Sequence, residues 1–414
     1  MPGAPTEGGD EMNALLERPA HRLWLLNQAE TLVKLFRGTT GGPAGFRMLG
    51  HDCKPMFGAD EVFGIHDTTR IVHIFSLATQ MGIPGLLDGI DQGMDFLWSA
   101  FRDKKNGGYF WSVSAEGPVQ AGKQAYGHAF VLLAASSARN IGHPRAQALL
   151  DDVTEVIEAR FWEEAPGAMA EEFEADWTET GPYRGQNSNM HSTEALMAAF
   201  EATGERAYIE KAKRIAHLII NKAARSEGWR VAEHFDRLWQ VDRDYSGDPM
   251  FRPAGTTPGH ALEWARLLVQ LHDISGKADG WMVQAAKELF ARACETGWDR
   301  ARGGFVYTLD WDDRPLQPLR LWWPNAEGIG AAATLWKHDS DPMAEDWYAK
   351  IWDVVAAQFI DHERGGWYPE ILPEGRPGEA IFTGKPDLYH AFQACLVPLL
   401  RPGVHLSGNI AEAL

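Results

Sequence analysis

Residues 106–113 read NGGYFWSV, residues 302–309 read RGGFVYTL, and residues 364–371 read RGGWYPEI. Each joins a pair of glycines to aromatic residues, the chemistry of a tight turn at a short hairpin. Looser versions occur as GGPAGFRML around Gly45, PGAMAEEF at Gly167 and EGWRVAEHF at Gly228. From Gly45 through Gly108, Gly167, Gly228 and Gly304 to Gly366, the intervals are 63, 59, 61, 76 and 62 residues. Regular internal spacing marks a repeat architecture, and here the period carries more weight than the motif.

Between these turns lie paired helical stretches: 66–82 with 84–103, 123–142 with 143–164, and 188–204 with 205–225. Then come 258–276 with 281–299, and 324–339 with 342–361. The sixth turn is followed by 387–400 alone, whose partner must be the N-terminal stretch 12–38. Second members show helical spacing, as in Tyr208, Ala212, Ile215 and Ile219. First members, such as GHAFVLLAASSA and YHAFQACLVPLL, are apolar nearly all round and belong inside. Loops such as ATGER and NIGHP are short, so partners are antiparallel neighbours. The pattern predicts an all-α (α/α)6 barrel, or toroid, of six inner and six outer helices with short β-hairpins at one end. It predicts one catalytic domain over 12–402, with 1–11 and 403–414 as flexible termini.

Composition narrows the partners. The chain of 414 residues is 45% hydrophobic with net charge −18 and no basic block. Nucleic acid and anionic membranes both recruit clustered Lys and Arg, so neither is expected. Three cysteines without metal-ligand spacing point to a reducing cytoplasm. The acidic start MPGAPTEGGDEMNALL does not read as a signal peptide. Seventeen tryptophans suit a sugar site, although most fill the core. A monomer or homodimer is expected.

The chemistry concentrates at the helix starts. Residues 252–264, RPAGTTPGHALEW, form an irregular loop ending at Pro258-Gly259, then a helix that opens with His260 and carries Glu263 one turn on. The wide interval of the repeat comes from QVDRDYSGDPMFRPAGT (240–256), long enough to cover one barrel mouth, with Arg252 approaching the ligand. Other inner helices begin with Arg70 and His73, with Tyr126, and with Asn187, His191 and Glu194. The last two begin with Trp323 and Glu327, and with Tyr389 and His390. Helices that run the same way bring these starts together, making a small-molecule site at one mouth. Taken singly, His73 or His128 reads as a hydrogen-bonded core residue, and Arg70 equally as a structural ion-pair partner.

The doubled H-x-x-E, His191–Glu194 and His260–Glu263, invites a metal reading, but neither an E-x-x-H set with extra glutamates nor H-E-x-x-H occurs. No metal and no cofactor is therefore expected. No G-x-S-x-G elbow appears either. Neutral imidazoles suit proton transfer.

The stretches TTRIVHIFS, NSNMHSTEA, VAEHFD, TTPGHALEW, WWPNAEG and KPDLYHAF resemble the N-acylglucosamine 2-epimerase superfamily, most closely its mannose isomerase and sulfoquinovose isomerase branch. The resemblance runs from about Arg22 to Pro402. It implies an (α/α)6 barrel and metal-free interconversion of an aldose with its 2-ketose, D-mannose with D-fructose or lyxose with xylulose. Carried over motif by motif, His260 and His390 match the acid/base histidines. Arg70, Tyr126, Asn187, His191, Glu263, Trp323 and Glu327 match sugar-binding positions. The sulfoquinovose branch implies a glutamine just before D-x-Y-H. Pro386 stands there, which favours a small neutral monosaccharide. Glu263 is expected to fix the tautomer of His260. The alternatives are a 2-epimerase of the N-acylglucosamine or cellobiose type, a sulfoquinovose isomerase, and a glycosidase or lyase using Glu263 and Glu327 as paired carboxylates.

Overall fold

A computed structural model describes residues 14–39, 45–56, 61–277, 279–401 and 407–414. Helices alternate along it as α1 (Pro19–Arg37), α2 (Ile65–Gln80), α3 (Leu87–Phe96), α4 (Ala125–Asn140), α5 (Ala146–Val156) and α6 (Gln186–Thr203). They continue as α7 (Arg206–Ala216), α8 (Pro258–Ile274), α9 (Trp281–Thr296), α10 (Trp322–Asp339), α11 (Pro342–Val354) and α12 (Leu388–Leu396). The even-numbered helices form the inner ring and the odd-numbered ones the outer ring. The all-round apolar pattern accounts for this split. In α4 every residue from Ala125 to Ala138 is buried, whereas α7 buries only one stripe, Tyr208, Ile209, Ala212, Ile215 and Ala216.

The ring closes where the period requires. Helix α12 contacts α10 on one side and α2 on the other, and α1 packs behind it. An Arg22 guanidinium N–H donates to the Leu399 carbonyl at 3.1 Å, and Trp24 meets Trp352 edge-on at 5.0 Å. The outer helix assigned to 12–38 is thus α1 with a preceding 3-10 turn, Leu15–Glu17. Residues 12 and 13 lie outside the described part.

Outer helices α3, α5, α7 and α11 run on into π-helical turns (Leu97–Phe101, Ile157–Phe161, His217–Ala224, Val355–Phe359). The wider turn drives Phe101, Phe161 and Phe359 fully into the core. A D-x3-G-G loop follows in three repeats. Asp103, Asp299 and Asp361 each accept two backbone N–H groups of their own loop. The glycine pairs, such as Gly107 and Gly108 at φ 79° and 72°, take left-handed backbone that a side chain would strain. Two of these aspartates also hold a buried lysine, Lys123 to Asp103 at 2.8 Å and Lys385 to Asp361 at 2.7 Å. The loops thereby set the height at which α4 and α12 begin, at the end where the chemistry lies. All three extend as hairpins, Ser112–Ser114 with Gly117–Gln120, Val306–Leu309 with Pro315–Leu321, and Glu370–Ile371 with Pro377–Gly378.

Of the stretch expected to be flexible, 403–414, the structure describes residues 407–414. Residues 407–414 pack against the opposite end of the ring. The Ser407 backbone N–H donates to Glu201 at 2.9 Å, and the Ser407 carbonyl accepts from Gln80 and Asn140 at 2.8 Å each. Ile410 and Ala413, in the closing turn α13 (Ile410–Ala413), are buried. The tail thus ties together side chains near the carboxyl ends of α2, α4 and α6, those of Gln80, Asn140 and Glu201. Deleting 407–414 should cost about 3 kcal/mol in urea unfolding through lost apolar burial and hydrogen bonds, with ligand binding at the other mouth unchanged.

Candidate active site

The amino ends of the six inner helices meet around a cavity of about 430 Å³. Of the residues singled out in the sequence, Arg70, Tyr126, Asn187, His191, His260, Glu263, Trp323 and His390 all line it. Six helix amino ends aim partial positive charge at one space, which favours a ligand that develops negative charge.

Each candidate base is held from behind by a carboxylate. His390 Nδ1 lies 2.8 Å from Glu327 Oε1, so the ring turns its other nitrogen to the cavity. Glu327 itself is buried behind His390 and does not line the cavity. Expected as a sugar-binding residue, it is seen in contact with His390. Burial lowers the His390 pKa, opposed by Glu327. His260 Nδ1 lies 2.9 Å from both oxygens of Glu233. The expectation that Glu263 fixes the His260 tautomer is thereby overturned. Glu263 faces Arg266 instead, 3.5 Å away, whereas Glu233, just before the short strand His234–Phe235, reaches Nδ1. Trp323 lies against both imidazoles, with ring centroids 5.0 Å from His260 and 5.7 Å from His390.

Arg70 donates to Asp387 at 2.7 Å and to the Tyr126 hydroxyl at 2.7 Å, between the rings of Phe130 and Tyr389 at 4.6 and 4.8 Å. Burial works against its charge, and Asp387 with the two tyrosines more than restores it. His191 is lowered to about 4, by burial first and against the pull of Glu194. It is neutral, with Nδ1 3.6 Å from Glu194 and 3.7 Å from Glu263.

Beneath the floor, Arg266 sits 3.1 Å from Glu327, 3.5 Å from Glu263 and 3.7 Å from Glu194. Tyr389 donates to Glu194. Three carboxylates share one cation, so they cannot all stay ionised in a dry interior. Glu263 yields: burial, then repulsion by Glu327, raise it well above the usual carboxylate range. Glu327 is lowered instead, because Arg266 and His390 outweigh its burial. Glu263 thus faces the cavity with its ionised form disfavoured.

Among the described residues, two groups have metal-ligand spacing, His191–Glu194–Glu263 and Glu263–Glu327–His390, each with its donor atoms within 4.8 Å. Arg266 contacts the carboxylates of both, so the counter-charge a cation would bring is already built in. The same proximity answers the glycosidase alternative. Glu263 and Glu327 lie side by side, one of them below the floor, and cannot straddle a glycosidic bond.

The segment 240–256 lies over this mouth. Met250 and Phe251 line the cavity, and the Phe251 ring meets Trp111 at 5.5 Å and Tyr126 at 6.1 Å. The Tyr307 hydroxyl, 2.8 Å from the Pro249 carbonyl and 3.0 Å from that of Met250, tethers it. Arg252, expected near the ligand, turns away to pair with Glu172 at 2.7 Å over the ring of Tyr183.

Glu233, Arg266 and Asp387 escaped the sequence reading as site residues. Arg266 carried a signal: a guanidinium inside an otherwise apolar helix requires buried carboxylates. Glu233 stood in VAEHFD without any local pattern to mark it.

The family model of N-acylglucosamine 2-epimerase matches residues 45–394. The chain belongs to this family. It is 43% identical over 407 residues to a D-mannose isomerase of Pseudomonas cannabina pv. alisalensis, covering 96% of each chain. It is 42% identical to a D-mannose isomerase of Thermobifida fusca, covering 95% of this chain and 98% of the relative. A crystal structure of D-mannose isomerase superposes with a TM-score of 0.86 at 31% identity, covering 92% of this chain and 99% of that one. The family thus has a fold of the kind described above, and no helix among the described residues is long and apolar enough to cross a membrane.

Proposed function

We propose that this protein is an aldose–ketose isomerase interconverting D-mannose and D-fructose, without metal or other cofactor. The observation that carries the reaction is the pair of carboxylate-held imidazoles, His260 and His390, turned into one cavity. Identity above 40% along the whole chain to D-mannose isomerases supports the choice of sugar.

In this reading His260 serves the ring and carbonyl oxygens during ring opening. His390, neutral in the free enzyme, takes the proton from C2 and returns it to C1, each proton transfer contributing about 10²–10⁴ in rate. The enediolate oxygens receive N–H donors from Arg70 and His191 and the O–H of Glu263. Asn187 and Tyr126 bind hydroxyls, and Trp323 offers its flat face to the sugar. One base on one face of a cis-enediol suffices for isomerisation, whereas 2-epimerisation requires two on opposite faces. The ligand is a neutral monosaccharide, handled in the cytoplasm. Cavity-lining Pro386 provides no donor for a sulfonate.

Incubation with D-mannose in D₂O plus EDTA, followed by NMR, tests the reading. Fructose should form, with deuterium at C1 on return of the proton. Glucose as first product would indicate epimerisation, and activity lost to EDTA but restored by a divalent ion would establish a metal.

A further inference from the structure

The buried groups behind His260 form a chain whose polarity can be read atom by atom. Trp264 Nε1 can only donate, and it does so to Gln186 Oε1 at 2.8 Å. That contact fixes the Gln186 amide, leaving its Nε2 as a donor towards Glu233 Oε2 at 2.8 Å. The Thr257 backbone N–H donates to Glu233 Oε1 at 3.2 Å. Gln186 Nε2 also lies 2.9 Å from His260 Nδ1; a bare Nδ1 could accept from that amide, but it would set its lone pair against both carboxylate oxygens of Glu233, which have no proton to give. Glu233, with both oxygens 2.9 Å from Nδ1, is the acceptor. All of these groups are buried, and Glu233 does not line the cavity.

We propose that Glu233, oriented by Trp264 through Gln186, is the positioning residue that keeps the His260 proton on Nδ1 and leaves Nε2 as the free base facing the sugar. The inference rests on the isomerase reading above and deepens it. In ring opening, the O1 proton of the pyranose passes to Nε2, the C1–O5 bond breaks, and its electron pair goes to O5. The same proton is then delivered to O5, and His260 returns to its starting state. A histidine of the opposite tautomer has no lone pair for the first transfer. The Glu233 side chain hydrogen-bonds to His260, Gln186 and the Thr257 amide, away from the cavity, so it reaches the sugar through the imidazole.

Glu233→Gln preserves the volume but puts one amide N–H among donors. Whichever way the new amide turns, it faces either Thr257 N–H or Gln186 Nε2, and the nearest lone pair it can find is His260 Nδ1. The imidazole is drawn into the Nε2–H form. On D-mannose, kcat should fall by about 10²–10⁴ with KM changed by less than about threefold. Nitrogen-15 NMR of the imidazoles, with His260 assigned through His260→Gln, should show Nδ1–H in the wild type and Nε2–H in Glu233→Gln. Glu233→Asp keeps the charge and should recover at least about tenfold in kcat over Glu233→Gln.

A wild-type His260 protonated on Nε2 overturns the proposal, and this measurement needs no variant that folds. So does a Glu233→Gln enzyme with unchanged tautomer and kcat within about threefold of wild type, or a Glu233→Asp enzyme no better than Glu233→Gln. The NMR experiment uses no substrate. An enzyme inactive on mannose would therefore defeat the isomerase reading while leaving the tautomer assignment to be judged separately.

Discussion

His390→Asn should lower kcat on D-mannose by at least about 10² while KM changes far less. The asparagine amide retains one hydrogen bond to Glu327 and much of the ring volume, so the cavity keeps its shape. It has no nitrogen lone pair able to take a proton from carbon. Deuterium exchange at C2 of mannose in D₂O should vanish with turnover, whereas binding of a reduced, non-reacting sugar such as mannitol should persist. The pH profile adds a second reading. Burial places His390 below the ordinary histidine value of 6.5, and a base works only unprotonated. The acidic limb of kcat/KM should therefore lie below 6.5, and the wild type should hold its activity into mildly acidic solution. Near-normal activity in the variant would remove the proposed base.

Arg266→Met should destabilise the fold by about 3–5 kcal/mol, the cost of breaking a buried ion network from one side. Arg266 is 1% exposed and faces three glutamates. Removing it leaves Glu194 and Glu327 without their nearest cation, and burial then shifts both towards the protonated form, the direction in which Glu263 is already shifted. Carboxylates whose folded pKa exceeds the unfolded value, near 4.5, contribute stability below that value and lose it as pH rises through the folded pKa. The deficit measured by urea unfolding should accordingly grow from pH 5 to pH 8. Glu327 also holds His390, so kcat should fall alongside stability. A stability loss independent of pH would show that lost packing, rather than lost charge, is responsible.

The sequence alone determined the ring. A spacing near sixty residues, glycine pairs in left-handed turns and apolar faces on alternate helices are local patterns. Each repeats because each unit must bury its inner helix against the next. The same frame placed Arg70, Tyr126, Asn187, His191, His260, Trp323 and His390 at one mouth, because the starts of parallel inner helices can only meet there. Tertiary structure alone decided which carboxylate serves which histidine. Glu263, one turn from His260 in the chain, turns to Arg266, while Glu233 reaches His260 across 27 residues and Glu327 reaches His390 across 63. Charge balance around Arg266 likewise depends on three glutamates from three different helices, α6, α8 and α10. Such choices are made by burial, since a carboxylate in a dry interior goes to whichever donor the packing brings within hydrogen-bond reach, and separation along the chain has no bearing on that distance.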